Sequence, residues 1–331
     1  MTPKYSLIIS LYNAAPHIDS LFESLAVQKS KVLNQIEIII IEDNSSDETL
    51  DQINHHRHKL DTKYHRIILI NNKQNKGLAY NRQLGATRAT GTHLFFLDAR
   101  TIPCDTYFQE MIDKKQDIVI ANVIIDKQRS SWDRAQYLFR KIVYGKIWGS
   151  KFDDVLLNYN TYQTFPLKGG GGAIFVKKDY FLSASQKFKL HKNVNDDTKI
   201  INELVKINPI LKGYTPTIVY KSRTGFQENV HHIYNRGPKF IDYYSKPKTK
   251  YFLPLVLGIS LSTFSLISLI AIPTLLLPGL MLVMTLYALI SFYVSEDWID
   301  FRTSMLIFPV ITAAFIAGVY KGLFLKLTRQ L

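Results

Sequence analysis

An acidic residue ends a short apolar run in the N-terminal half of the chain. Leu94–Leu97 is apolar and predicts a buried strand, which Asp98 ends. In open α/β sheets, ligands bind just outside the carboxyl ends of the strands. Asp98 is therefore placed to bind a ligand, and Arg100 follows it with a guanidinium that matches the geometry of a phosphate. The alternative is that Asp98 caps a helix beginning near Asp105.

Two more predicted strands end in acids and amides. Tyr5–Ser10 runs into Tyr12 and Asn13, and Ile36–Ile41 runs into a polar loop that contains Asp43. Parallel strands would bring these residues to one edge, together with the acid described above. The chain has neither G-x-G-x-x-G after its first strand nor G-x-x-x-x-G-K-[ST], so a dinucleotide fold and a P-loop are not supported.

Two later segments also have the composition of a reactive site. Gly169–Gly172 precedes the apolar strand Ala173–Val176, and consecutive glycines let a backbone approach a ligand closely. Asp196 and Asp197 open the helical run Lys199–Val205. Adjacent carboxylates at this position suit an N-cap, because their charge is favourable near the N-terminal end of the helix dipole.

Strand and helix patterns alternate through the N-terminal part of the chain. This alternation predicts an α/β fold with a doubly wound, mostly parallel sheet. The predicted strands are Tyr5–Ser10, Ile36–Ile41, Arg66–Ile70, Leu94–Leu97, Asp117–Ala121 and Ala173–Val176.

Composition narrows the classes of partner. The 331 residues carry 41 Lys+Arg against 27 Asp+Glu, a formal charge of +14 that favours anionic ligands. No zinc-finger spacing, helix-turn-helix or RNP-like motif occurs, so nucleic acid is not an expected partner. The single cysteine, Cys104, excludes an internal disulfide and suits a reducing compartment.

The C-terminal quarter has the composition of a membrane segment. Phe252–Ile272, Thr274–Val294 and Thr303–Tyr320 carry no charge, and each is close to the roughly 20 residues that cross a bilayer. We expect two or three transmembrane helices within 252–325. The preceding segment, 227–251, interleaves aromatic and basic residues as an interfacial segment does, and its charge predicts the cytoplasmic side.

The third apolar run and one upstream segment each leave two alternatives. Three spans would place Lys326 and Arg329 outside, against the positive-inside trend, whereas two spans with an in-plane or re-entrant segment would not. Ser131–Trp148 combines apolar and basic residues, so it either lies on a bilayer surface or packs on the sheet.

Taken together, four of these motifs resemble the family 2 glycosyltransferases of GT-A fold. They are Ile8–Asn13, the loop Glu42–Thr49, Asn75-Lys76-Gly77 with Asn81 and Gly85, and Phe95–Arg100. The resemblance implies a GT-A domain over residues 1–226 and an inverting, hexosyltransferase-like enzyme that uses a nucleotide-diphosphate sugar.

The resemblance also implies roles for individual residues. Tyr12 and Asn13 would lie at the nucleotide, with Tyr12 against the base or ribose, and Asp43 would accept hydrogen bonds from the base. Asn75, Gly77 and Asn81 would face the diphosphate. Of the Asp-Asp pair, Asp197 would be the general base, with Asp196 as the alternative. The acceptor side would include Gly170, Gly171, Gly172 and Arg236.

Arg100 departs from the pattern of the family. Asp98 corresponds to the first acid of the Asp-x-Asp metal motif, and Arg100 stands in place of the second. We expect Asp98 to retain Mg²⁺ or Mn²⁺ weakly, with the donor's phosphates as further ligands. The alternative is that Arg100 binds the diphosphate directly.

These expectations combine into one functional hypothesis. The protein would be a multi-pass protein of a bacterial-type inner membrane with a cytoplasmic catalytic domain. It would transfer a sugar to a lipid-linked or growing glycan acceptor in surface polysaccharide synthesis, in contact with membrane lipid. The rivals are a catalytically silent membrane scaffold, which Arg100 would favour, and a processive synthase. Against the synthase, the Gln-x-x-Arg-Trp motif is missing from the chain.

Overall fold

The chain folds into two compact units. A computed structural model describes residues 3–145, 153–164, 172–188, 196–247, 249, 251–272, 274 and 276–328. The sheet unit comprises Met1–Asp126, Tyr144–Lys192 and Asp196–Ser222, and the helical unit comprises Lys127–Val143 and Arg223–Leu331. The expected domain boundary near residue 226 stays a prediction, although the first unit ends close to it.

The sheet unit contains one mixed, mostly parallel sheet. Within the described residues it has nine strands in the order β3-β2-β1-β4-β8-β6-β9-β5, with β7 paired to β9. β1 pairs in parallel with β2 and β4, and β3 pairs in parallel with β2, whereas β8 is antiparallel to both neighbours. The strands are β1 Tyr5–Leu11, β2 Ile36–Glu42, β3 Arg66–Asn71, β4 His93–Asp98, β5 Thr101–Pro103, β6 Ile118–Ile124, β7 Val155–Leu157, β8 Ala173–Lys177 and β9 Ile210–Tyr220.

Helices cover both faces of this sheet and form the helical unit. Those of the sheet unit are α1 Ala15–Ala26, α2 Thr49–His56, α3 Leu78–Arg88, α4 Tyr107–Asp113, α6 Tyr159–Thr164, α7 Lys178–Ser185 and α8 Asp196–Ile207. Those of the helical unit are α5 Ser131–Tyr144, α9 Phe226–Tyr234, α10 Arg236–Tyr244, α11 Phe252–Ala271, α12 Leu276–Val294 and α13 Trp298–Leu327.

Alternate residues of the central strands pack into two apolar layers. On one face, Leu7 and Ile9 of β1 pack with Leu21 of α1 and Phe108 of α4. On the other face, Ile8 packs with residues of β2, α3, α7 and α8. A strand buried on both faces reads as a continuous apolar run, which is why the parallel strands were predictable.

Three strands of the structure were not predicted. β5 and β7 are three residues each, too short to show a periodic pattern. β9 contains Lys212, Gly213 and Pro216, which interrupt its apolar pattern. Lys212 is nevertheless buried, because its ammonium donates to the Ala121 carbonyl. Pairing with strands distant in sequence therefore stabilises a segment that local pattern does not identify.

The helical unit contains the apolar C-terminal helices. In the described part of the chain, α12 and α13 are long and apolar enough to cross a membrane. Part of the upstream segment Ser131–Trp148 forms α5, whose Ala135 and Leu138 pack against Val294 of α12 and Phe308 of α13. The two alternatives for this segment stay predictions, and its last residues lie outside the described part of the chain.

Candidate active site

The carboxyl ends of four parallel strands meet at one edge of the sheet. In register, Leu11 of β1 pairs with Glu42 of β2, Glu42 pairs with Asn71 of β3, and Ser10 pairs with Asp98 of β4. The residues at or just after these ends, Tyr12, Asp43, Asn72 and Asp98, define what we call the carboxyl edge. The sequence predicted three of these four residues, and the fold brings them to the expected edge.

Asp43 is held at the carboxyl edge by a set of hydrogen bonds. Its side chain is buried, and its Oδ1 accepts from Asn72 Nδ2 at 2.8 Å and from the Lys76 backbone N–H at 2.9 Å. Its Oδ2 accepts from the Gly77 backbone N–H at 2.8 Å. Gly77 has φ +88°, a conformation that glycine adopts readily. Asp43 thus fixes the Asn75–Gly77 loop against the end of β2.

The first loop is fixed in a similar way. Asn13 has φ +45°, and its Oδ1 accepts from the Ser46 backbone N–H at 2.9 Å, while its own N–H donates to Ser45 Oγ at 3.0 Å. Buried Glu42 accepts from the backbone N–H groups of Asn44 and Ser45. These bonds tie the loops after β1 and β2 together. Tyr12 is left 51% exposed beside them, as a ring that a planar base could contact.

Asn81 lies below the carboxyl edge rather than on its surface. It is fully buried in the first turn of α3, its Oδ1 accepts from Asn72 Nδ2 at 2.8 Å, and its Nδ2 donates to Ser10 Oγ at 2.9 Å. Both ends of the amide are therefore engaged within the protein. Asn81 positions Asn72, whereas Asn75 and Gly77 are half-buried in the preceding loop.

An arginine of α3 holds Asp98. Arg82 Nη2 lies 2.9 Å from Asp98 Oδ1, and the Arg82 side chain is almost completely buried. On the other side stands Gly172, where an added Cβ would overlap Asp98 Oδ2. The Asp98 backbone N–H donates to Thr101 Oγ1, which orders the turn after β4. Asp98 therefore has one oxygen engaged by a cation, and a glycine makes room for the other.

Arg100 lies in the turn between β4 and β5. Its side chain is half-buried, and its backbone carbonyl accepts from the Lys221 N–H at 2.8 Å. Because Arg100 occupies the second acid's place, Asp98 is the carboxylate that this turn offers. This arrangement decides what kind of cation the site can hold.

The donor set fits a weakly held divalent cation. Within the described residues, no group of three or more His, Cys, Asp or Glu side chains is placed to hold a metal ion. In the described part of the chain, Arg82 contacts Oδ1 of Asp98, and Oδ2 lies beside Gly172. Mg²⁺ in proteins is commonly bound by one or two carboxylates together with substrate phosphates and water. Asp98 can supply one such ligand, and substrate phosphates and water can supply others.

The remaining predicted residues come from later segments of the chain. α8 begins at Asp196, so Asp196 and Asp197 occupy its first turn as the sequence indicated. Gly170 and Gly171 lie outside the described residues, whereas Gly172 is next to Asp98. Arg236 begins α10 in the helical unit, and its expected place on the acceptor side stays a prediction.

Arg82 and Asn72 were not among the site residues predicted from the sequence. Arg82 shares the buried face of α3 with Ala79 and Ala86, so a charged residue at an apolar helical position was a usable signal. Asn72 directly follows β3, as Asp43 follows β2. A prediction that treated the ends of all parallel strands alike would have included Asn72.

Comparison with known proteins identifies the family and the fold. Residues 6–181 match the model of glycosyl transferase family 2. The chain is 31% identical over 124 residues to the putative glycosyltransferase EpsH of Bacillus subtilis, covering 37% of this chain and 34% of EpsH. It is 36% identical over 94 residues to the Escherichia coli glucosyltransferase WfaP, covering 28% and 34%. The matched segments thus span about a third of each relative's length.

Two solved structures have a similar fold. The mannosyltransferase PcManGT of Pyrobaculum calidifontis, in complex with GDP-Man and Mn²⁺, aligns with a TM-score of 0.58 at 13% identity, over 98% of this chain and 88% of its own. TarS 1–349 of S. aureus, in complex with UDP-GlcNAc, gives 0.52 at 15% identity, over 99% and 92%. At these identities the likeness shows the fold, which is GT-A as expected. Because the family model covers more than half of the residues, the chain belongs to glycosyl transferase family 2.

Proposed function

We propose that the protein is a membrane-anchored, inverting glycosyltransferase. It transfers a sugar from a nucleotide-diphosphate donor to a lipid-linked or growing glycan acceptor in surface polysaccharide synthesis. The catalytic unit lies on the cytoplasmic side of a bacterial-type inner membrane, where nucleotide sugars are made. The family membership and the GT-A fold support the reaction class.

One observation carries the proposal most directly: Asp43 holds the Lys76 and Gly77 backbone N–H groups at the carboxyl edge. A loop fixed in this way forms a rigid wall beside exposed Tyr12, which stacks on the base or ribose. Asn75 and Gly77 face the diphosphate from this loop. Asp43 has further lone pairs for the base, and Asn81 acts by positioning Asn72.

The chemistry is a direct displacement at the anomeric carbon. The acceptor hydroxyl oxygen forms the new bond to this carbon as its bond to the diphosphate oxygen breaks, and the electron pair leaves with the diphosphate. Asp197 takes the proton of the acceptor hydroxyl, a step that typically contributes about 10²–10⁴-fold. Arg100 binds the leaving diphosphate through its guanidinium. A divalent cation at Asp98 would offset further negative charge on the diphosphate.

A lipid-linked acceptor is supported by the composition of the helical unit. α11 and α12 are apolar and largely exposed, as expected of helices surrounded by lipid. WfaP, one of the relatives, is by name a glucosyltransferase that acts on a diphosphoundecaprenol-linked sugar. An acceptor of this chemical class would present its sugar at the membrane surface, near an enzyme anchored there.

The test is release of nucleoside diphosphate by the full chain in membranes. We would supply a panel of UDP- and GDP-sugars, with and without a lipid extract from a bacterial envelope. We expect one donor to release diphosphate, with release stimulated by the extract and lost in Asp197→Asn. Binding of a donor without release under any of these conditions would refute catalysis and favour the scaffold alternative. Asp196→Asn is the matched control for charge at the start of α8.

A further inference from the structure

The N-terminal end of α13 forms ion pairs with basic residues in and before α5. Asp300 is fully buried and forms ion pairs with Arg134 of α5 and with Lys127, the latter at 3.2 Å. Lys127 and Lys141 also pair with Glu296, at 2.7 Å and 3.0 Å. Asp297 also pairs with Arg134. Three acids in the turn before α13 and in its first turn thus pair with three cations in α5 and just before it.

The C-terminal end of α13 is hydrogen-bonded to the α9–α10 segment. Lys321 Nζ donates to Asn235 Oδ1 at 3.2 Å, and Lys326 Nζ donates to Ser245 Oγ at 2.7 Å. Just before these bonds the helices approach closely, because an added Cβ on Gly318 would overlap the Tyr234 backbone. The N-terminal end of α13 is therefore anchored to α5, and its C-terminal end to the α9–α10 segment.

Neither partner segment can lie in the hydrocarbon core. α5 carries Arg134, Arg140 and Lys141, and α10 carries Arg236 and Lys239. Charged side chains at the centre of a bilayer are costly, and these helices are much shorter than a span. In addition, the chain enters Lys127–Val143 from one part of the sheet unit and returns to another. So short an excursion cannot cross a bilayer and return, and α9 begins only four residues after the sheet unit ends at Ser222. α5 and α9 are therefore on the same side of the membrane, and so are both ends of α13.

α13 also has two distinct faces. Its inner stripe, which is buried against the other helices, is Ser304, Phe308, Ala314, Gly318 and Gly322. Its outer stripe is exposed and apolar, with Leu306 71%, Phe324 62% and Leu327 84% exposed. Members of the outer stripe recur at helical spacing from Leu306 to Leu327, and exposed Arg302 lies one turn before them on the same face. They are Leu306, Ala313, Ile316, Tyr320, Phe324 and Leu327.

A contact with α11 indicates how deep this face lies. The Tyr320 hydroxyl is 2.9 Å from Ser262 Oγ and 2.7 Å from Thr263 Oγ1. Ser262 is ten residues after Phe252, where α11 begins, or about 15 Å along its axis. The Tyr320 side chain spans part of that distance, so the axis of α13 lies less deep than Ser262. This depth agrees with a helix immersed about 5–10 Å at the boundary of headgroups and acyl chains.

We propose that α13 does not span the membrane but lies in the plane of its surface, with the outer stripe against the acyl chains of one leaflet. α11 and α12 form the spanning hairpin, and the end of α13 stays on the side of the polar helices. Phe139, Ile142 and Val143 of α5 are exposed and apolar as well. This proposal rests on the membrane anchoring in the proposed function and not on catalysis.

Cysteine labelling from each side of the membrane tests the proposal. In a Cys104→Ala background of the full chain, single cysteines are placed at exposed Thr62 in the sheet unit, at Ile272 after α11 and at Thr328 after α13. With a membrane-impermeant maleimide, we expect Thr328→Cys to react from the Thr62→Cys side and Ile272→Cys from the opposite side. Reaction of Thr328→Cys from the side of Ile272→Cys would overturn the in-plane helix. Reaction of Ile272→Cys from the Thr62→Cys side would overturn the anchoring hairpin itself.

Depth measurement separates an in-plane helix from a re-entrant one. Fluorescent labels at positions 306, 313 and 324 of α13 are compared with labels at 277, 282 and 289 of α12, in vesicles whose lipids carry quenchers at graded depths. We expect the three α13 labels to have the same shallow depth within a few ångströms, whereas the α12 labels differ and reach the bilayer centre. A label at position 313 near the bilayer centre would refute the proposal, whichever side Thr328→Cys reacts from.

Discussion

Removing the guanidinium of Arg82 is expected to destabilise the carboxyl edge. Arg82 and Asp98 are 2.9 Å apart, with side chains 5% and 32% exposed. Two unit charges about 4 Å apart near a protein surface interact by about 4 kcal/mol, from which desolvation subtracts. A net coupling of about 1.5–3 kcal/mol remains, as for a hydrogen bond between charged groups. For a domain of about 200 residues this corresponds to roughly 3–12 °C in the unfolding midpoint.

A double-mutant cycle measures this coupling. Arg82→Gln, Asp98→Asn and the double variant would be compared by thermal unfolding of the full chain in detergent. Arg88→Gln is the matched control, because Arg88 is exposed near the end of the same helix, and we expect it to change stability by less than about 0.5 kcal/mol. Additive effects of the two substitutions, with a coupling below about 0.5 kcal/mol, would show that the pair does not hold Asp98.

Four further predictions concern catalysis and anchoring. Asp197→Asn should lower transfer about 10²–10⁴-fold with donor binding retained in calorimetry; an active Asp197→Asn with an inactive Asp196→Asn would move the base by one residue. Arg100→Ala should weaken donor binding roughly tenfold or more, since a charge-assisted contact is worth about 1.5–3 kcal/mol; because we expect a retained cation, chelator should also stop the native enzyme, and undiminished transfer in excess chelator would contradict this. Gly172→Ala should impair transfer more than stability, because its Cβ would overlap the strand-end carboxylate; normal kinetics would show that the carboxylate moves away without consequence. Hydrogen bonds from lysines keep the pKa of Glu296 below its ordinary 4.5, so their stabilisation is present above that pH and is lost as pH falls through the lowered pKa; the unfolding midpoint should therefore fall less steeply with acid in Glu296→Gln than in the native chain, and identical slopes would exclude this contribution.

The sequence determined the features that depend on local pattern. Continuous apolar runs identified the parallel strands, because a strand buried on both faces contains few polar residues. The position of Asp98 directly after such a run placed it at a ligand-binding edge, and the charge-free stretches after Phe252 indicated apolar helices in their observed places. Arg100 was visible as a departure from the metal motif because that motif is a matter of neighbouring residues.

Only the tertiary structure decided which side chains meet across long separations. Arg82 and Asp98 come from different elements, and so do Asp43 and the loop at Gly77. β9 is a strand because distant strands pair with it, although its own pattern is interrupted. The third apolar helix has a composition that fits a span. Its ends are bound by Arg134 at one side and Asn235 at the other, and such contacts depend on packing that no local pattern encodes.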